Sequence, residues 1–355
     1  MGFEIDFMPS GEGSRSSDAI SFRYGNLESS DPKQQRVVVI DGGTKASGEA
    51  LVKHITTYYH TRRVDAVLLT HPDADHASGL TVVIESLEVG ALYMHRPWAH
   101  AEALHAMITD GRLSVRAVTQ KLARSLANVY ELDQMAKRRN IPVIEPFAGS
   151  LLLNDPALLV LGPDVNYYRD LACEMAELRA EPSTLSGLLQ SFTQGAGDAL
   201  ARIKESLGFE SETWSDAPGT SPSNNSSAIL LFRDRDKSFL FTGDAGVPAL
   251  TRAADLATTS GIALNTLHGL QVPHHGSRHN ISPALLDRIK APYGLISVCC
   301  DSPKHPSPRV TNALKRRGTR TSKTEKQVLS LSDGGVARQG YGAAPEIPFM
   351  YDFEE

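Results

Sequence analysis

One stretch constrains this chain more than any other: Thr70-His71-Pro72-Asp73-Ala74-Asp75-His76 places four candidate metal ligands, His71, Asp73, Asp75 and His76, within six positions. Just before it, Val64-Asp65-Ala66-Val67-Leu68-Leu69 is an apolar, β-branched run that reads as a buried strand. Just after it, Ala77-Ser78-Gly79-Leu80 provides a glycine-containing turn and the start of a helix. The ligands therefore fall on a loop at the C-terminal end of a strand, where α/β folds commonly carry chemistry. In extended chain, residues two apart share a side, so His71, Asp73 and Asp75 converge and His76 turns in as the chain bends. Imidazole and carboxylate together suit Zn²⁺, Mn²⁺ or Fe²⁺ better than Ca²⁺ or Mg²⁺. Four ligands so close can serve two ions that share a water. A polar loop with helix-capping aspartates is the plainer alternative, and the coincidence of strand, ligand loop and turn speaks against it.

The remainder bounds the answer. The chain has 355 residues, 41% apolar and 22% charged, as expected of a globular protein with a sizeable core. A net charge of −5 gives no general attraction to nucleic acid, so any such contact is local. The cysteines Cys173, Cys299 and Cys300 form neither a disulfide framework nor a Cys-x-x-Cys pair, and read as free thiols of a cytoplasmic protein. No apolar run approaches a membrane span, and the N-terminus lacks the basic start of a signal peptide. The expected organisation is one domain over residues 1–355, with a helical elaboration at 99–140 and a helical and loop insertion at 164–223.

Further strands are expected at Phe3 to Met8, Ser17 to Tyr24 and Arg36 to Gly43, followed by a helix from Gly48 to Thr61. Asp41, at the end of its strand, either orients a ligand histidine or forms an Asx turn. Strands follow at Ala91 to Met94, Ile141 to Ile144 and Leu158 to Pro163. Helices are expected at Tyr168 to Leu178 and Leu185 to Leu207, and a mobile polar loop at Ser211 to Ser223. Asn224-Asn225-Ser226-Ser227 leads into a hairpin that ends in Thr242-Gly243-Asp244. A second dense element is Val272-Pro273-His274-His275-Gly276-Ser277; a third is Lys304-His305-Pro306. His95, His100 and His105 read as packing or surface histidines. Lys315, Arg316, Arg317, Arg320, Lys323 and Lys326 form a basic cluster, either a polyanion site or a solvated face. Gln327 to Leu331 reads as a closing strand, and no chemistry is evident from Gly334 to Glu355.

His-x-Asp-x-Asp-His after a strand resembles the signature loop of the metallo-β-lactamase superfamily. The fuller His-Pro-Asp-Ala-Asp-His-Ala-Ser-Gly-Leu is similar to the hydrolase domain of competence-type DNA-uptake proteins. The Asp18-Ala19, Asn-Asn-x-Ser, Thr-Gly-Asp and Val-Pro-His-His-Gly-Ser segments extend the resemblance along most of the chain. It implies an α/β fold, an αββα sandwich of two mixed sheets flanked by helices, with helical insertions. It implies two divalent ions, Zn²⁺ or Mn²⁺: one on His71, Asp73 and a bridging Asp244, the other on Asp75, His76, Asp244 and either His274 or His275. The first ion lacks the additional histidine usual in that superfamily. A water shared by the ions would be the nucleophile, oriented by Asp75, with His275, His305 or a metal-bound water protonating the leaving group. Asn225, Ser226 and Ser277 are candidate substrate contacts. The expected activity is that of a phosphodiesterase or nuclease acting on nucleic acid or a nucleotide. The alternatives are another hydrolase of this fold acting on an ester, lactone or thioester, and a non-catalytic protein docking a partner through its helical insertions.

Overall fold

The computed structural model describes residues 1–9, 11–12, 15–29, 31–108, 113–178, 219–300, 302–339 and 341–350. Among them, two mixed sheets face each other. The first orders β15 (Leu329–Asp333), β1 (Gly2–Phe7), β4 (Ala19–Gly25), β5 (Gln35–Gly42), β6 (Arg63–Leu68), β7 (Glu88–Tyr93) and β8 (Val143–Ile144). It is antiparallel as far as β5 and parallel from there. The second orders β14 (Arg320–Lys323), β13 (Tyr293–Ile296), β12 (Gly269–Gln271), β11 (Lys237–Phe241), β10 (Ile229–Asp234) and β9 (Leu158–Gly162), parallel from β14 to β11 and antiparallel beyond. A small ribbon joins β2 (Gly11–Glu12) to β3 (Arg15–Ser16).

Strand alternation builds the layer between the sheets. Phe3, Ile5, Phe7, Ile20 and Phe22 face Phe232, Phe239 and Phe241, with Phe22 and Phe241 stacked at 5.3 Å. Burying each such side chain contributes about 2–3 kcal/mol. The outer face of the first sheet packs under α1 (Lys45–Tyr58), α2 (Ala74–Ser86) and α5 (Ala127–Arg138). α8 (Val247–Thr259), α9 (Pro283–Arg288) and α10 (Pro308–Arg316) cover the second sheet. A satellite core joins α3 (Ala101–Met107), α4 (Val115–Ser125) and α6 (Val165–Met175). The expected helix at Leu185 to Leu207 lies outside the described residues, as does 211–218 of the expected loop.

Two local expectations change. The signature segment is extended only to Asp73, and α2 starts at Ala74. Residues 75 and 76 then diverge by the helical rotation of about 100°, so His76 faces inward while Asp75 does not follow Asp73. Gly79 belongs to that helix rather than to a turn. A Cβ there would meet the Gly42 carbonyl oxygen at 1.9 Å, and one on Gly48 would meet the Gly79 oxygen at 2.3 Å. The glycines let α1, α2 and the end of β5 touch backbone to backbone.

The basic cluster is largely paired. Lys315 and Arg320 meet Glu346 at 2.8 and 3.4 Å, Arg317 meets Asp287 at 2.9 Å, Lys323 meets Glu325, and Arg316 lies over the Phe349 ring. This is the solvated-face outcome. Residues 320–323, read from sequence only as part of that cluster, form the edge strand β14.

Candidate metal centre

The parallel strands of both sheets deliver their C-terminal ends to one place. β5 brings Asp41, β6 brings His71 and the signature loop, β11 brings Asp244, β12 brings His274 and His275, and β13 leads to His305. Asp18, in the turn before β4, joins them. Asp18, His76, Asp244 and His275, all buried, offer ligand atoms within 4.8 Å of one another.

Asp244 is the hub. Its Oδ2 lies 3.5 Å from His76 Nε2, 3.6 Å from His274 Nε2 and 3.8 Å from His71 Nε2. His71 Nε2 is also 3.6 Å from Asp73 Oδ2. Ligand atoms 2.0–2.2 Å from one divalent ion stand roughly 3.3–3.6 Å apart at tetrahedral angles. The 3.5 and 3.6 Å separations are therefore those of ligand pairs, with 3.8 Å just beyond, and all are long for hydrogen bonds.

The far nitrogen of each imidazole is already engaged. His76 Nδ1 donates to Asp41 Oδ2 at 2.8 Å, and His275 Nδ1 donates to the Ser297 carbonyl at 3.0 Å. His274 Nδ1 donates to Asn280 Oδ1 at 2.8 Å. Thr70 gives its hydroxyl proton to Asp41 at 2.6 Å, so the 3.1 Å contact with His71 runs from His71 Nδ1–H to Thr70 Oγ1. Each Nε2 is left with a lone pair directed at the cluster. His71 Nε2, His76 Nε2 and Asp244 Oδ1 are buried without a hydrogen-bond partner, a costly state unless a cation serves them. The residues thus fit the binding of a divalent cation.

Charge points the same way. Burial disfavours a charged His76, yet Asp244 and Asp41 raise its pKa well above the ordinary value, so without a metal Nε2 carries a proton that a cation would displace. Burial pushes Asp18 up to about 7, with Asp244 adding to the rise. Against its own burial, Asp244 is held well below the usual carboxylate range by His274, His76 and His275. Burial holds His275 at about 4, so its lone pair is available at neutral pH. The cluster is a buried acidic and imidazole cage that calls for positive charge.

The other expected residues are placed as follows. Asp73 stands at the N-cap position of α2 without a side-chain capping bond, is half-exposed and accepts from Ser223 Oγ. Ser223 was expected in a mobile loop; instead it opens α7 (Pro222–Asn225), capped by Ser221. Asp75 is half-exposed and outside the four-residue cluster, where Asp18 stands instead. His305 is half-buried, its ring 5.5 Å from His274 and 6.1 Å from His275, and burial lowers it to about 4. Asn225 and Ser226 are buried, and Ser226 donates to the Ser223 carbonyl at 2.6 Å. Ser277 is buried and accepts from the His279 amide. His274 and His275 both hold left-handed backbone, φ 48° and 57°, and their rings stand at 69° to each other, 5.6 Å apart.

Sequence reading missed Asp18 as a cluster member, along with Asn280, Ser223 and Gln271 as their supports. The Asp18-Ala19 pair, part of the resemblance, held the signal for the first.

A groove of about 400 Å³ runs beside the cluster, lined by Asp73 and Asp75 on one wall and by Arg124, Ser125 and Asn128 of the α4–α5 turn on the other. Among the described residues no helix is long and apolar enough to cross a membrane.

Residues 33–165 match the family described as the metallo-beta-lactamase superfamily. A search of curated proteins finds no match to the chain. Among solved structures, a diphosphatase of the PhnP family is 13% identical, with TM-score 0.42, 94% of this chain covered and 98% of that one. The hydrolase AbOPH of the beta lactamase superfamily is 11% identical, with TM-score 0.30 and coverage of 86% and 72%. The two mixed sheets flanked by helices are the metallo-β-lactamase fold.

Proposed function

From this fold and site, we propose that the chain is a metal-dependent hydrolase that cleaves phosphodiesters of a nucleic acid or nucleotide. The observation that carries the reading is the set of imidazole Nε2 atoms gathered around Asp244, each with its Nδ1 already held. His71, Asp73, His274 and Asp244 would hold one divalent ion. Asp18, His76, His275 and Asp244 would hold the other. In this arrangement His274 supplies the imidazole that the sequence lacked for the first ion. Asp18 takes the place given to Asp75. Four imidazoles with three carboxylates suit Zn²⁺ or Mn²⁺, and Asp73 favours the harder Mn²⁺. Bound there, the ions supply Lewis acidity and bring the pKa of water towards neutrality.

The chain's own residues do the rest. Asp75, half-exposed on the groove wall, is positioned to accept a proton from an incoming water. His305, beside His274 and His275, is held unprotonated at neutral pH by burial, so it orients the leaving group through its ring N–H while solvent water supplies the proton. Arg124 presents a cation to an anionic substrate in the groove. An ester, lactone or thioester would call for an apolar acyl pocket at the cluster. The groove is instead walled largely by polar side chains, which favours the phosphodiester. The competence-type form of the signature loop agrees with a nucleic-acid substrate, and a cytoplasmic location agrees with the free thiols.

The test is cleavage of labelled single- and double-stranded DNA, RNA and a generic phosphodiester with Mn²⁺, Zn²⁺ or chelator. Metal-dependent cleavage that is lost in His76→Ala and Asp244→Asn is the expected result. A metal-loaded protein that cuts none of them overturns the reading.

A further inference from the structure

Gln271 is the last residue of β12, three positions ahead of His274, and is fully buried. Its Oε1 accepts the Thr242 and Gly243 amides at 2.9 and 3.1 Å. Its backbone carbonyl accepts the Thr242 hydroxyl at 3.0 Å. Those two amide donors fix which end of the carboxamide is oxygen, so Nε2 must face the other way. It donates to Asp18 Oδ2 at 3.0 Å, across 253 positions of sequence and from one sheet to the other.

One side chain therefore ties together the turn that carries Asp18, the turn that carries Asp244 and the strand that leads to His274 and His275. Asp18 and Asp244 are buried acids within 4.8 Å of each other, and two such groups repel unless held and neutralised. A carboxylate that accepts one amide proton still has lone pairs for a cation. A carboxylate at position 271 would keep the two acceptor bonds but could not donate to Asp18.

We propose that Gln271 is a positioning residue of the metal centre: its carboxamide sets Asp18 and the Asp244 turn against each other, so that both carboxylates face one shared cation. The inference rests on the metal-centre reading above. It goes beyond it by assigning the cation affinity of the Asp18 side to a residue that touches no ion. It also accounts for a glutamine, rather than an apolar residue, at a fully buried sheet position between the two sheets' turns.

The experiment is calorimetric titration of metal-free protein with Mn²⁺, for the wild type, Gln271→Glu, Asp18→Asn and the double variant. Gln271→Glu is expected to bind one of the two ions about 10–100-fold more weakly and the other within a few-fold of wild type. In the Asp18→Asn background, the same change at 271 is expected to shift affinity by less than about twofold, because its effect runs through Asp18. Thermal unfolding of the metal-free proteins checks the fold. If Gln271→Glu does not fold, Gln271→Met, of similar volume, takes its place; because it also drops the Thr242 and Gly243 bonds, it is expected to weaken one ion about 10–100-fold and to keep part of that loss in the Asp18→Asn background. Wild-type affinity for both ions in the 271 variant overturns the proposal, and so do independent, multiplying losses from the two sites. A wild-type protein that binds no Mn²⁺ overturns the metal-centre reading itself, a distinct result.

Discussion

Asp41 Oδ2 accepts the Nδ1 proton of His76 at 2.8 Å, and this bond directs the other ring nitrogen at Asp244. The same carboxylate takes the Thr70 amide at 2.8 Å and the Thr70 hydroxyl at 2.6 Å, so it aligns His71 as well, through Thr70. Asp41→Asn should lower metal affinity about 10–100-fold with little loss of fold stability. Calorimetric titration beside a thermal melt separates the two effects, and an unchanged affinity would count against the role given to Asp41.

The contact of α2 with β5 leaves no room for a methyl group at position 79. Gly79→Ala places a Cβ against the Gly42 and Thr44 carbonyls. Overpacking of this kind typically costs about 1–3 kcal/mol. Because neither backbone oxygen can swing away, the loss should fall at the upper end. Urea denaturation reads it directly, and metal affinity should fall with it, since α2 carries His76.

Arg338, in the segment after β15, reaches back to the first strand. Its guanidinium donates to Asp6 Oδ1 at 2.8 Å and to Glu4, beside the buried pair of Arg23 with Glu4 at 2.7 Å. Arg338→Ala leaves buried carboxylates short of a partner and should destabilise by about 3 kcal/mol. Burial would raise Asp6, but His54 and Arg338 hold it well below the usual carboxylate range. A depressed folded pKa gives stability that is present above the unfolded value, near 4, and lost as pH falls through the folded value. In Arg338→Ala the folded value rises, so the acid-unfolding midpoint should move to higher pH.

His95 lies between Phe147 and Tyr168, at 4.8 and 4.3 Å, with neither ring nitrogen hydrogen-bonded. Burial pushes it down to about 3. Below about pH 6.5 the unfolded chain binds this proton and the folded one does not, so stability should fall with pH from there by up to about 1.4 kcal/mol per unit. His95→Phe keeps the ring packing and should flatten that part of the profile. An unchanged slope would show that His95 does not cause it.

The signature segment told most about fold and site because strand, ligands and helix are consecutive there, and local pattern is what sequence displays. Asp244, His274 and His275 were legible for the same reason: each follows an apolar strand at a glycine turn. Asp18 was not, because its neighbours at the cluster come from the far sheet, and only folding brings Gln271 to it. The extended reading of the signature loop failed at Asp75, where the helix begins earlier than the apolar pattern suggests. Arg338 was invisible because its segment has no periodicity; its partners, Glu4 and Asp6, lie on the outward side of a strand whose alternation predicts polar residues there. β14 was hidden by charged side chains that an edge strand tolerates.

The most direct measurement is anomalous diffraction from crystals of the protein grown or soaked with Mn²⁺ or Zn²⁺. The account predicts two peaks about 3.5–4 Å apart, one on either side of the Asp244 carboxylate. One should lie among His71, Asp73 and His274, and the other among Asp18, His76 and His275. A single peak, or none within reach of Asp244 in crystals that hold the metal elsewhere, would contradict it.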